Sequence, residues 1–425
     1  MRGRHLERYV RLPVLVWVLL LLSGGLADRA RAAEWNWVLE TRALYSDNIE
    51  RQREGREVDG NLFSLEAGIE VDHQAGQNNY ALRGVGGWER VEGTETSTNN
   101  IYQVDADLIW PVSGFTTLGL QATASRQTNL QEVDNLDRSR TLEDRSRLSL
   151  TFIGRETYPL RSFDTYLWTE EIKRDTETTN TASLGGNLDI PAGLGKSIQV
   201  AASALVGEGK ESDDRWRENR YSAVIQISSA KKFLYGGETF LYASETNPGN
   251  PLDEDVEFDN LGLILFVENY PSPQTTLVVS LGTEGLKEKG SERDWSERGR
   301  LTFKSQVSNR TSLALSAAQE NTLGQRADRT PVWSRRSLAE ATLVWRTTST
   351  LTATVNAIAS KDDFDPSQFG FDRQDNRLVT TLGLSWRTSE DSDLALTANR
   401  EKIDSNDDLE DLKENSLELT FVSLF

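Results

Sequence analysis

Two histidines, one methionine and no cysteine leave few side chains from which to build a reactive centre. Without cysteine there are no thiolate nucleophiles, disulfides, zinc–thiolate sites or iron–sulfur clusters. His5 falls in a basic N-terminal segment, so a histidine base or ligand has to be His73. A serine-type triad needs that base oriented by a third group and facing a nucleophile. No G-x-S-x-G context occurs near His73, and Gly282-Thr283-Glu284-Gly285 is not a nucleophile elbow. Asp and Glu number 66 against 47 Lys and Arg, so glycosidase-type carboxylate pairs are available in quantity, but no pair stands apart from that abundance. Gly84, Gly86 and Gly87 fall inside a strand-like stretch, where small residues relieve crowding, and form no phosphate loop. The residues therefore predict no catalytic group, no cofactor and no metal site. A formal charge of −19 makes nucleic acid an unfit partner.

The elements that carry these residues begin after a leader. Arg2, Arg4, Arg8 and Arg11 precede an apolar run from Leu12 to Leu22, and Ala30-Arg31-Ala32 follows. A basic segment, a short apolar core and a small-x-small site form the pattern of a secretory signal peptide, expected over residues 1–32. The first 33 residues hold six arginines against Glu7 and Asp28, so the remainder carries −23 where the whole chain carries −19. No later segment offers 18 consecutive apolar residues, so any membrane crossing falls to strands.

Residues 33–425 repeat one pattern. Leu118, Leu120, Ala122 and Ala124 alternate with polar or small residues; so do Ile198, Val200, Ala202 and Ala204, and so do Leu351, Ala353, Val355 and Ala357. Period two marks strands with one apolar face. The predicted strands are 34–45, 61–73, 79–91, 99–111, 116–127, 144–156, 162–174, 180–191, 196–208, 217–229, 233–245, 257–269, 274–286, 297–307, 311–322, 335–347, 350–361, 374–388, 393–402 and 412–425. Short Pro/Gly/Asn/Ser breaks such as Val112–Phe115 and Ser389–Ser392 alternate with long charged ones, among them 46–60, 128–143, 362–373 and 403–411. This is the layout of an all-β fold, a transmembrane antiparallel up-and-down barrel of about 20 strands (18 to 22), with short periplasmic turns and long external loops.

Aromatic residues lie near the expected strand ends: Trp35, Trp37, Tyr45, Tyr80, Trp88, Trp110, Phe163, Tyr221, Phe233, Phe258, Trp345, Trp386, Phe421 and Phe425. Interfacial girdles would place them there. Leu417, Leu419, Phe421 and Phe425 close the chain in alternation, similar to the C-terminal signal read by the barrel-assembly machinery. The opposite face lines the lumen, with Arg83, Arg147, Arg220, Arg300, Lys304, Arg377, Arg387 and Glu284 as candidates. Its arginines could line a path for anionic sugars. The acidic loops could bridge to lipopolysaccharide through divalent cations, although no spacing matches a calcium loop.

The opening of this region is more specific. Trp37-Val38-Leu39-Glu40 leads to Tyr45-Ser46-Asp47-Asn48-Ile49; Asp59 then precedes Leu65, Gly68 and Ile69, followed by Tyr80, Leu82 and Gly84. Over about 60 residues this resembles outer-membrane β-barrels of exopolysaccharide loci, including the PEP-CTERM/exosortase-system-associated family. The resemblance implies a Gram-negative outer-membrane location. It also implies a non-enzymatic role in exopolysaccharide or surface-protein biogenesis, as a pore or structural element, with polysaccharide or periplasmic export components as partners. The alternative is a general or substrate-selective porin, with a constriction built from the 128–143 loop and Asp134, Asp137, Arg138, Arg140, Asp144 and Arg145.

Overall fold

The computed structural model describes residues 34–49, 57–75, 77–94, 96–130, 140–155, 162–173, 177–192, 196–211, 214–230, 234–247, 256–325, 331–364, 372–406 and 411–425. The expected leader lies outside them. Twenty strands run through the described residues. The first five are β1 (Glu34–Ser46), β2 (Gly60–Ala75), β3 (Asn78–Glu92), β4 (Thr96–Ser113) and β5 (Thr116–Leu130). Next come β6 (Arg140–Arg155), β7 (Ser162–Lys173), β8 (Glu177–Pro191), β9 (Lys196–Glu211) and β10 (Asp214–Ala230). They continue as β11 (Leu234–Asn247), β12 (Val256–Ser272), β13 (Thr275–Glu288), β14 (Asp294–Ser308) and β15 (Thr311–Gln325). The last are β16 (Pro331–Arg346), β17 (Leu351–Phe364), β18 (Gln374–Ser389), β19 (Ser392–Ser405) and β20 (Leu412–Leu424). Each pairs antiparallel with its sequence neighbours, and β20 returns to β1, so the sheet is a closed barrel.

Closure is built at both ends of the β1–β20 seam. At the turn end, the Trp37 and Phe425 N–H groups each donate to the other's carbonyl at 2.9 Å. At the loop end the Ser46-Asp47-Asn48-Ile49 run acts as a latch. Ser46 Oγ donates to Glu414 Oε1 at 2.8 Å, and Asn48 Nδ2 donates to the Lys413 carbonyl at 2.9 Å. Asp47 accepts from the backbone N and the Nδ2 of Asn415, both at 2.6 Å. Ile49 is buried against Leu44 and Leu62. Trp37 and the Ser46–Ile49 run, part of the stretch that carries the family resemblance, thus serve to close the cylinder.

Every predicted strand has its counterpart, but most extend further at the loop end. β5 runs to Leu130, β6 starts at Arg140, β10 at Asp214 and β16 at Pro331. Strands of 12 to 18 residues exceed the roughly 9–11 needed to span hydrocarbon, so they project beyond it. The projecting ends carry charge on the outer face as well. Arg335 pairs with Glu297 at 3.0 Å, Lys361 with Asp363 at 3.0 Å, Lys402 with Asp404 at 2.7 Å and Arg126 with Asp144 at 3.8 Å. Alternation of apolar and polar residues ends there while backbone pairing continues. Several long breaks are correspondingly shorter than expected, and Asp362 belongs to β17 rather than to an acidic loop. The β13–β14 connection turns tightly at Gly290, whose φ of 80° suits glycine.

Direct cross-strand partners share a face, so one parity runs round the barrel. The outer face exposes a belt of Leu, Ile and Val between two aromatic rings. Trp35, Trp37, Trp110, Trp345, Trp386 and Phe425 mark the turn side, and Tyr45, Trp88, Tyr221 and Trp295 the loop side. Trp37 and Tyr45 are eight positions apart, which at about 3.4 Å rise and ~40° tilt separates the rings by roughly 21 Å, near the height of an outer-membrane belt. Two of the expected girdle residues differ. Phe258 points inward and is buried because its partner Ser244 lies on the inner face, and Phe233 lies outside the described residues.

Asp47→Ala removes two short bonds to a charged acceptor beside the seam and leaves the Asn415 donors unpaired. The expected loss is about 2–3 kcal/mol, read as a lower urea midpoint for the detergent-folded barrel. An unchanged midpoint would remove the latch role.

Candidate functional site

The candidate lumen residues all lie on the inner wall. Arg83 lies opposite Glu70 and Asp105, and Arg147 opposite Thr123 and Glu170. Arg220 lies opposite Leu205 and Ser244, and Arg300 opposite Ser280 and Ala318. Lys304, Arg377 and Arg387 share the same inward parity. The structure spreads them round the wall and does not bring them together.

Most of these cations already have partners. Arg83 bonds Glu40. Arg300 Nη2 reaches Glu320 Oε1 at 3.1 Å, Arg377 Nε reaches Glu401 Oε1 at 2.8 Å, and Arg387 lies 3.7 Å from Asp393. The Arg147 guanidinium stands 4.8 Å over the Trp168 ring, an inward-facing cation–π pair. Periodicity identifies the arginines but not their partners, because a partner depends on the register of another strand.

Glu284 faces inward yet has no solvent exposure. It accepts from Asn260 Nδ2 at 3.2 Å, Arg298 Nη1 at 3.2 Å and the Asn321 backbone N at 2.5 Å. Arg298 Nη2 continues to Glu320 Oε2 at 2.8 Å. The same guanidinium sits 4.8 Å over the Phe240 ring. That ring lies across Gly262, where a Cβ would collide with it. A charge buried this far needs several donors, and Glu284 has them.

The network runs on round the loop-end mouth. Arg336 donates to both Asp362 oxygens at 2.8 and 3.3 Å, and Ser334 Oγ adds a third bond at 2.9 Å. Arg373 donates to both Asp375 oxygens at 3.2 and 2.8 Å, and Ser405 Oγ to one of them at 2.6 Å. Asp362 and Asp375 lie directly opposite each other across β17 and β18, an unfavourable like-charge pair offset by these donors. Sequence analysis missed this ring; the inward parity of Arg298, Arg336 and Glu401 was the signal that could have found it.

His73 and the 128–143 stretch complete the placements. His73 lies on the outer face near the turn end, stacked on Tyr80 with ring centroids 6.0 Å apart. Neither of its ring nitrogens has a hydrogen-bond partner among the described residues, so no triad forms around it. The 128–143 stretch is strand at its two ends, 128–130 in β5 and 140–143 in β6: Asp144 faces outward beside Arg126, and Arg145 Nε bonds Glu170 at 2.8 Å on the inner wall. Arg140 also lies in β6, and Asp134, Asp137 and Arg138 lie outside the described residues. At the C-terminus, Leu417, Leu419 and Phe425 are exposed on the outer belt. Phe421 sits opposite Thr41 and Leu394 on the same face.

No protein-family profile and no curated protein matches this chain. Solved structures do. The FrpB iron transporter of Neisseria meningitidis (F5-1 variant) superposes with a TM-score of 0.61 at 10% identity, over 92% of this chain and 82% of its own. A mutant of the ferric enterobactin receptor PfeA from Pseudomonas aeruginosa gives 0.54 at 12% identity, over 93% and 81%. The copper transporter OprC gives 0.54 at 10% identity, over 93% and 81%. The likeness is one of fold: a closed transmembrane barrel of the outer-membrane type.

Glu284→Ala strands the Asn260 and Asn321 donors and weakens the hold on Arg298, with an expected cost of about 2–3 kcal/mol. Arg300→Ala breaks a pair whose arginine is half exposed and should cost under about 1 kcal/mol. Denaturant midpoints of the two variants compare them directly; equal losses would show that Glu284 is not structural.

Proposed function

We propose that the chain is an outer-membrane channel of a Gram-negative bacterium, passing hydrophilic solutes along the inner wall of its barrel. The observation that carries this reading is the parity of the wall: within the belt the outer face is apolar, and most charged, amide and hydroxyl residues there face inward. Strands about 4.8 Å apart and tilted ~40° put opposite backbones of a 20-strand barrel roughly 40 Å apart, wide enough for water between the side chains. The likeness to transporter and receptor barrels agrees with a transport role and assigns no solute. The reading gives the chain no catalytic step. It has the assembly machinery engage Leu417, Leu419, Phe421 and Phe425, and lipopolysaccharide surround the loop-side girdle.

A narrower reading places the channel in exopolysaccharide or surface-protein export, working with periplasmic export components. Its support is the resemblance of the opening 60 residues. Because the Ser46–Ile49 run serves closure, that resemblance bears on barrel construction more directly than on cargo.

The refolded chain in a planar bilayer should give a steady ohmic conductance. No current from protein that is inserted and shows heat-modifiable gel migration would overturn the channel reading. Deletion of the gene should reduce surface polysaccharide if the narrower reading holds. Intact polysaccharide with slower uptake of small hydrophilic solutes would favour the porin alternative.

A further inference from the structure

We infer that the lumen prefers cations to anions, an inference that rests on the channel reading above and names its solute class. The inner face over β1–β4 presents Glu40, Glu66, Glu70, Asp72, Asp105 and Asp107. Register makes this one surface. Glu40 lies opposite Glu66, Glu70 opposite Arg83, and Arg83 opposite Asp105. Asp72 and Asp107 flank Ala81 on either side. Glu34 and Glu89 share this face, and against the eight carboxylates the same four strands set two inward cations, Arg42 and Arg83.

Both cations are engaged. Arg42 bonds Glu418 across the seam at 3.0 Å, and Arg83 bonds Glu40. Glu66, Glu70, Asp72, Asp105 and Asp107 make no ion pair among the described residues. The nearest donor to Asp105 is neutral, Gln103 Nε2 at 2.6 Å.

The rest of the wall supplies an independent observation. Where inward arginines form ion pairs, carboxylates cancel them: Arg145 by Glu170, Arg298 by Glu284 and Glu320, Arg336 by Asp362, and Arg377 by Glu401. Lys304, Arg147, Arg155 and Arg346 face inward without an ion pair among the described residues and set four positive charges against the surplus. An anion entering the lumen therefore meets guanidinium groups that are mostly paired and, over β1–β4, a cluster of unpaired carboxylates. Of the arginines that suggested an anionic path, Arg83, Arg300, Arg377 and Arg387 are neutralised in place.

This is a property of the wall, not a binding site. Unpaired carboxylates lining a pore raise the local cation concentration and exclude anions over a Debye length. In a lumen this wide the range of that field decides the outcome. The Debye length is about 30 Å at 0.01 M salt and about 3 Å at 1 M, so the preference fills the lumen in dilute salt and retreats to the wall in concentrated salt.

The test is the reversal potential of the refolded full-length chain in a planar bilayer, under potassium chloride gradients centred on 10 mM and on 1 M. Potassium should be favoured over chloride by about threefold or more in the dilute series, with a ratio falling to about 1 in the concentrated one. The combined variant Glu66→Gln, Glu70→Gln, Asp105→Asn and Asp107→Asn should lose most of the dilute-salt preference. Glu257→Gln, on the outer face, should keep it. A conducting wild type with a ratio near 1, or a chloride preference, at 10 mM overturns the inference and leaves the channel reading standing. A preference unchanged in the combined variant overturns the assignment to β1–β4. Absence of current from inserted, folded protein overturns the channel reading and the inference with it.

Discussion

Backbone hydrogen bonding in hydrocarbon is the constraint on which everything else in this structure depends. An unpaired peptide group there costs several kcal/mol, and a sheet with free edges would carry a row of them. The chain meets this by returning β20 to β1. Trp37 and Phe425 lock one end of that seam through reciprocal backbone bonds. Ser46, Asp47 and Asn48 lock the other through Glu414, Asn415 and Lys413. A latch made of side chains at the loop end is reasonable, because the seam there lies above the belt and water competes for its backbone groups.

Closure with antiparallel neighbours fixes one parity for the whole cylinder. A slip of one residue in any strand would turn its apolar face inward and its charges into lipid. The buried charge network at the loop-end mouth strengthens that choice of register. Glu284 reaches three donors on β12, β14 and β15 only in the observed alignment. Asp362 and Asp375 tolerate each other only while Arg336 and Arg373 each hold one of them. These charges specify alignment where alternation of apolar residues has already ended.

The same logic explains what the sequence reveals and what it hides. Within the belt one face must be apolar, so all twenty strands are visible as period two. Beyond the belt both faces are wet, and strands such as β6 and β16 begin several residues before their alternation does: Asp144 and Arg335 face outward there as Arg147 and Arg336 face inward. For that reason the two ends of the 128–143 stretch read as loop and fold as strand. The side of each lumen residue was legible from parity, but its electrical state was not. Arg42 and Glu418 are separated by 376 positions and meet only because the barrel closes. Phe258 shows the complementary failure: its place near a strand end suggested a girdle, and parity turned it inward.

Pairing divides the lumen charges by role. At the loop-end mouth nearly every arginine holds a carboxylate, much of that charge is buried, and little field extends beyond the pair. Such pairs align strands and are nearly silent toward a passing ion. Over β1–β4, from mid-barrel to the turn end, carboxylates stand together with too few cations. Placing Glu40 beside Glu66 costs stability, because like charges repel across a strand pair. Water in the lumen and ions in its double layer reduce that cost, which a dry wall could not do. Uncancelled charge of this density on an inner wall is therefore compatible with a stable fold only where the wall is wet. The surplus that gives the lumen its sign thus also argues that the lumen holds electrolyte.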